Sequence, residues 1–189
     1  MAQVFGVYQG DLLKTNEYLI IRFSPSSVPL KERWRNNGIS ADFMADYTST
    51  FFPADNSDVR SAVSFIANEL IENAMKFHDY TSDQAISVGL FLHQERLVFH
   101  ATNTLDHRGV KDYQGIIEEL LNSDPTELYL QQLEANASAA DDEEVRSGIG
   151  FLTMLNDYQV KLGWLFEPDP HEAEKIAVKT LVDLTVESL

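Results

Sequence analysis

A chain of 189 residues with 44% apolar content suits one compact domain with a sizeable core and makes disorder a poor starting assumption. Its formal net charge of -16 counts against nonspecific binding to nucleic acid or to an anionic membrane, since both depend on meeting phosphate charge with cations; a basic partner, or one that brings a metal ion, fits better. With no cysteine there is no disulfide frame, thiolate zinc site or cysteine nucleophile, and no run approaches the roughly 20 apolar residues of a membrane span, so a soluble cytoplasmic protein is expected.

The first strand signal is EYLIIRFSPSS, rich in β-branched and aromatic residues and closed by a Ser/Pro turn, which predicts a strand at about 17 to 24. Val4, Phe5, Val7 and Tyr8 before it suggest an extra strand. PLKERWRNNGISADFMADYTSTFFP then predicts two helical patches, separated at Asn36, Asn37 and Gly38 and closed by Pro53. Phe43, Tyr47, Phe51 and Phe52 fit core packing, with any exposed portion available to a partner or to a homodimer. Asp55 to Asp58 supply N-cap residues for a helix from about 58 to 78. Its apolar residues Val63, Ile66, Ala67, Leu70, Ala74 and Phe77 share one side.

AISVGLFLH and RLVFHATN are strand-like runs joined by a turn with Gln94 and Glu95, an antiparallel hairpin. Beyond Leu105 the pattern loosens, and residues 118 to 144 hold nine acidic residues and no Lys or Arg. Helices near 112 to 122 and 125 to 136 are expected, with a mobile, acidic, small-residue tip after them. RSGIGFLTMLNDY starts a second amphipathic helix after two glycines, and QVKLGWLFEP and KIAVKTLVDLTVE read as two final strands with Trp164 and Phe166 in the core. The whole predicts an α/β two-layer sandwich: a mixed, mostly antiparallel sheet with helices on one face. Residues 1 to 189 form a single domain, with an N-terminal strand and helix portion to about residue 56 and a lid over about 105 to 147.

Chemistry concentrates on two of these helices. At about 100° per residue, Glu69, Asn73 and Lys76 fall within roughly 60° of one another beside the apolar stripe. Glu69 and Asn73 offer oxygens suited to magnesium, and a carboxylate there can take a proton from an attacking hydroxyl; the same spacing also occurs on plain solvated helices. In RSGIGF, Gly148 and Gly150 stand at a helix start, where free N–H groups can hold phosphates, and Arg146 adds a charge-assisted partner. The five histidines lack metal-ligand spacing and read as packing or surface residues.

NELIENAMKFH resembles the asparagine-bearing box of the ATPase domain shared by histidine kinases, gyrase, Hsp90 and MutL, and RSGIGFLTMLND resembles its last glycine box. The order, with a hairpin and a lid between them, is also similar. The likeness extends over about residues 58 to 185 and is nearest to the anti-sigma-factor serine kinases of the SpoIIAB and RsbW type and to SiaB-like kinases. It implies the Bergerat ATP-binding fold, ATP or ADP and Mg2+ as cofactors, and a STAS-like regulatory protein or a sigma factor as partner.

By that resemblance Asn73 is the magnesium ligand, Glu69 the base acting on an acceptor hydroxyl, and Lys76 a residue near the phosphates or the pocket edge. Gly148 and Gly150 contact phosphates through their backbone, with Arg146 and Ser147 at the lid hinge. The family's Asp-x-Gly-x-Gly box is replaced by FHATNTLDHRGV, where Asn103 stands in the aspartate position and Gly109 is the nearest glycine. Asn103 can accept from an adenine amino group, without charge assistance; Asp106 is its rival, and Leu105 narrows the pocket. The implied activity is an ATP-dependent serine/threonine protein kinase that switches partners. The alternative is a nucleotide-degenerate binding module of the same fold.

Overall fold

The computed structural model describes residues 2–24, 30–52, 57–138 and 148–186. Period-two alternation of apolar side chains makes six strands: β1 (Gln3–Gly6), β2 (Tyr18–Phe23), β3 (Ile86–Leu92), β4 (Arg96–Leu105), β5 (Lys161–Pro168) and β6 (Ile176–Thr185). They form one sheet in the order β1-β5-β6-β4-β3-β2. Every pairing is antiparallel, which sharpens the mixed sheet expected from the sequence.

The pleat decides what each face carries. Leu97, Phe99, Ala101 and Leu105 of β4 enter the main core, and Asn103 shares their side by the same alternation. Ile86, Val88 and Leu90 of β3, Trp164 and Phe166 of β5, and Val178 and Val182 of β6 fill the rest of that face. Phe151 packs edge-on against Trp164, with ring centroids 5.4 Å apart. Each such fully buried side chain contributes about 1.5–3 kcal/mol over leaving it in water.

Five helices accompany the sheet: α1 (Leu30–Ser49), α2 (Ser57–Lys76), α3 (His107–Asn122), α4 (Pro125–Ser138) and α5 (Ile149–Asp157). In α2 the buried residues Val59, Ala62, Val63, Ile66, Ala67, Leu70, Ile71, Ala74 and Met75 follow the helical repeat and lie against β3 and β4. Helix α1 covers α2 through Ala41, Met44 and Ala45, and the pair is tied by Arg60 donating to Asp46 at 2.8 Å and Ser64 donating to Asp42 at 2.8 Å. The opposite sheet face carries a smaller apolar cluster. There Tyr8, Leu12 and Leu13, around a 3-10 turn at Gly10–Leu13, lie on Phe91, Val98 and Leu181.

Three expectations are corrected. Helix α1 is continuous through Asn36, Asn37 and Gly38, because Asn37 is buried and packing against α2 outweighs the low helix propensity of that triplet. Phe43 and Phe51 are 55% and 45% exposed, so the aromatic cluster is only partly core. Helix α3 begins at His107, ahead of the expected start near 112, because Asp106 caps it. The expected closing Pro53, cap residues Asp55 and Asn56, and acidic tip at 139–147 lie outside the described residues. Among the described residues, no helix is long and apolar enough to cross a membrane.

Candidate functional site

Helix α2 packs against α5, with the Phe65 and Tyr158 rings 5.6 Å apart at the end of α5 and Glu69 at its start. Gly148 opens α5 at φ +112°, a left-handed conformation that favours glycine, and supplies no side-chain cap. The first intrahelical bond runs from Leu152 N–H to the Gly148 carbonyl at 3.1 Å. The N–H groups of Ile149, Gly150 and Phe151 therefore have no helical acceptor, and the positive end of the helix faces the same way.

Glu69 fills the space above that turn. A Cβ placed on Gly150 would lie 1.8 Å from Glu69 Oε2 and 2.6 Å from its carboxyl carbon, so the carboxylate rests directly on the Gly150 backbone. Burial pushes the Glu69 carboxyl up to about 7, and the nearby Glu72 carboxylate adds to the rise. No cation or hydrogen-bond donor among the described residues opposes it. Glu72 itself accepts a hydrogen bond from Asn68 at 2.8 Å. A half-buried carboxyl poised near neutrality can take up a proton and return it.

Asn73 follows Glu69 by one helical turn and is half-buried. Lys76, in the last turn of α2, is exposed, with its Nζ 5.9 Å from the Phe77 ring centroid. Phe77 in turn stacks on Tyr113 of α3 at 4.4 Å, which fixes the start of the expected lid against the end of α2. Glu69 and Gly150 thus meet directly, Gly148 lies two residues before Gly150, and Asn73 lies on the same helix as Glu69. Arg146 and Ser147 are outside the described residues.

Asn103 lies under the helices on β4, only 3% exposed, and its Nδ2 has no hydrogen-bond partner among the described residues. Such an orphaned buried donor is costly unless something else receives its hydrogen bond. Asp106 is corrected as an adenine candidate: its Oδ1 accepts from the N–H groups of Arg108 at 3.1 Å and Gly109 at 2.7 Å, capping α3. Gly109 is committed to the same turn. Leu105 is core.

Gln132 on α4 escaped the sequence reading. It is 4% exposed, its Oε1 has no hydrogen-bond partner among the described residues, and its Nε2 is 3.9 Å from where a Gly148 Cβ would stand. One glutamine in a polar helical run carries no signal that it faces the start of another helix.

Beyond the far end of α2 the carboxylates are partnered. Asp79 binds Lys175, and its N–H donates to the Thr104 carbonyl at 2.7 Å. His78 Nδ1 accepts from Thr104 N–H at 3.3 Å. Burial alone would raise the Asp79 carboxyl, but Lys175 and two Thr81 donors hold it at about 2. Glu172 accepts from Ser82 Oγ and Asp83 N–H, both at 3.0 Å, closing a clamp around the end of β4 next to Asn103. Two histidines serve packing, His100 meeting Tyr8 at 3.2 Å and His93 meeting the Leu12 carbonyl at 2.8 Å, while His107 and His171 are exposed. Among the described residues, no three His, Asp or Glu side chains group as a metal site.

No protein-family model matches this sequence, and no curated protein matches it. The fold is nevertheless found in a solved structure. A chain in the crystal structure of the SiaB–SiaC complex from Pseudomonas aeruginosa superposes with a TM-score of 0.58 at 15% identity, over 88% of this chain and 89% of that one.

Proposed function

We propose that this protein is an ATP- and Mg2+-dependent serine/threonine protein kinase and partner-switching regulator whose substrate is a small STAS-like or anti-sigma-antagonist protein. The observation that carries the reading is Glu69, a half-buried carboxyl near neutrality placed against the uncapped start of α5. Phosphoryl transfer needs an acceptor hydroxyl positioned and relieved of its proton next to held phosphates, and this crossing offers both functions side by side.

The residues present suit the nucleotide at each end. The orphaned Asn103 Nδ2 can donate to a ring nitrogen of adenine while its Oδ1 accepts from the amino group, the two-point pairing that asparagine makes with this base. The free N–H groups at the start of α5 suit phosphate oxygens. Asn73 offers one side-chain oxygen to magnesium, an ion that keeps several waters and takes phosphate oxygens for the rest of its shell. Bound together, ATP and magnesium would supply the transferable phosphoryl group and the neutralising charge. Glu69 would orient the acceptor hydroxyl and receive its proton. Helices α3 and α4 would form the described part of the lid, with Gln132 of α4 bearing on Gly148.

The partner-binding half of the proposal is supported by the neighbouring fold, which comes from a complex of two different proteins. The test is thermal shift with ATP, with and without Mg2+, beside phosphoryl transfer from labelled ATP to a co-encoded small partner. Asn73→Ala is expected to abolish the Mg2+-dependent shift. If wild type shows none either, and no label moves, the kinase reading fails. One observation favours a second reading, a sequestering module without catalysis: the adenine position holds a neutral Asn103 where related kinases have an aspartate. Partner binding that is unchanged by nucleotide, in a protein that transfers no label, would establish it.

A further inference from the structure

The glycine-rich turn was expected to serve phosphates through its backbone, which would make Gly150 valuable for its N–H. Its contacts point to a different requirement. A Cβ at Gly150 would stand 1.8 Å from Oε2, 2.6 Å from Cδ and 3.1 Å from Cγ of Glu69, so the carboxylate occupies the volume that any side chain at 150 would take. Gly148 differs: its built Cβ meets only Ile116 at 3.6 Å and Gln132 at 3.9 Å, ordinary contact distances, and glycine is favoured there by φ +112°. The two glycines of GxG thus answer to separate demands, one of conformation and one of space.

We infer that Gly150 is a positioning residue: its bare Cα is the seat that holds the Glu69 carboxylate against the first turn of α5, so that α5 sets where the proton acceptor stands. The inference deepens the proposed kinase reading and rests on it for its catalytic meaning, while the seat itself is a property of the apo protein. Two physical consequences follow. A carboxylate pressed on backbone loses part of its water, in agreement with its raised proton affinity, and the charged neighbour acting on it is Glu72 of its own helix. Any displacement of α5 also changes what lies beneath Glu69.

Because the atoms that clash are the far end of a flexible side chain, Gly150→Ala is expected to fold and to swing Glu69 toward water. The test is a carboxyl-carbon NMR titration of Glu69 in the apo wild type and in Gly150→Ala. The wild-type midpoint is expected near 7, and that of the variant lower by about one pH unit or more, toward the ordinary glutamate range. An unchanged midpoint overturns the seat, and an unchanged midpoint with weakened ATP binding returns Gly150 to a phosphate role.

Phosphoryl transfer in Gly150→Ala is expected to fall by about 100-fold, the size of effect that a misplacement of about 1 Å produces, with ATP affinity changed less than about threefold. A midpoint that moves in a protein showing neither nucleotide binding nor transfer leaves the seat standing and removes the kinase reading. Should Gly150→Ala fail to fold, the double variant Glu69→Ala/Gly150→Ala decides: recovery of the fold supports the contact, and continued failure overturns it.

Discussion

Two carboxylates toward the same end of one helix are treated in opposite ways. Asp79, just past the end of α2, has a lysine, a threonine hydroxyl and a backbone donor, and its carboxyl is held at about 2. Glu69, two turns back from the helix end, has none of these among the described residues and stands at about 7. The difference separates a charge that holds the fold from one that the fold leaves available. Buried polar groups are ordinarily satisfied, so Glu69, and the Asn103 donor on the strand below, mark where a ligand would complete the structure.

The largest expected effect breaks the comparison at its reactive side. On the proposed kinase reading, Glu69→Ala should lower phosphoryl transfer by about 10²- to 10⁴-fold, the range for losing a general base, while leaving partner binding intact. Asp79→Ala should do the reverse, lowering Tm by several degrees with transfer within a few-fold of wild type. Label transfer and thermal melts on the same two preparations measure both.

Next in size, Asn103→Asp places a carboxylate at the proposed adenine position. Burying an unpaired carboxylate should lower the apo Tm, while an adenine amino group gains a charge-assisted acceptor. The ATP-induced shift is therefore expected to grow although the starting Tm falls. If ATP affinity drops with the Tm, Asn103 does not face adenine.

Protons sharpen the same comparison. The Glu69 carboxyl binds its proton more tightly folded than unfolded, so its contribution to stability falls as pH rises from about 4.5 to about 7 and is flat above. Glu69→Gln should gain on wild type across that window, seen as a Tm difference larger at pH 8 than at pH 5. Asp79 has the opposite sign. Its contribution is present above about 3.8 and is lost as pH falls toward about 2, so Asp79→Asn should differ from wild type at neutral pH and converge with it in acid.

The smallest effect lies away from both. Gly38, inside α1, has nothing within 4 Å of a built Cβ, and Gly38→Ala should add about 0.5–1 kcal/mol in chemical denaturation without altering transfer.

Much of this was legible in the sequence because periodicity is a direct imprint of burial. The hairpin, both final strands, helices α3 and α4 and the α2 stripe follow from it, and the side-by-side placement of α2 and α5 follows from their apolar faces. Misreadings fell where local signals compete with tertiary packing. Asn36, Asn37 and Gly38 look like a break until Asn37 is seen to be buried beside α2. Asp106 looks like a ligand until it is found capping the helix that starts one residue later. The contact between Glu69 and Gly150, and the place of Gln132, depend on how two helices cross, a geometry that no spacing within either helix contains.

The sheet order has a consequence for synthesis. β1 and β2, neighbours in sequence, lie at opposite edges of the sheet, and Gln3 of β1 pairs with Phe166 of β5. At about 5–20 residues per second, β1 leaves the ribosome roughly 8 to 30 s before its partner strand exists. Throughout that interval the segment bearing Val4 and Val7 must stay clear of other nascent chains without the one edge that can receive it. In synthesis, β1 is therefore a strand that must wait for a partner about 160 residues further along the chain.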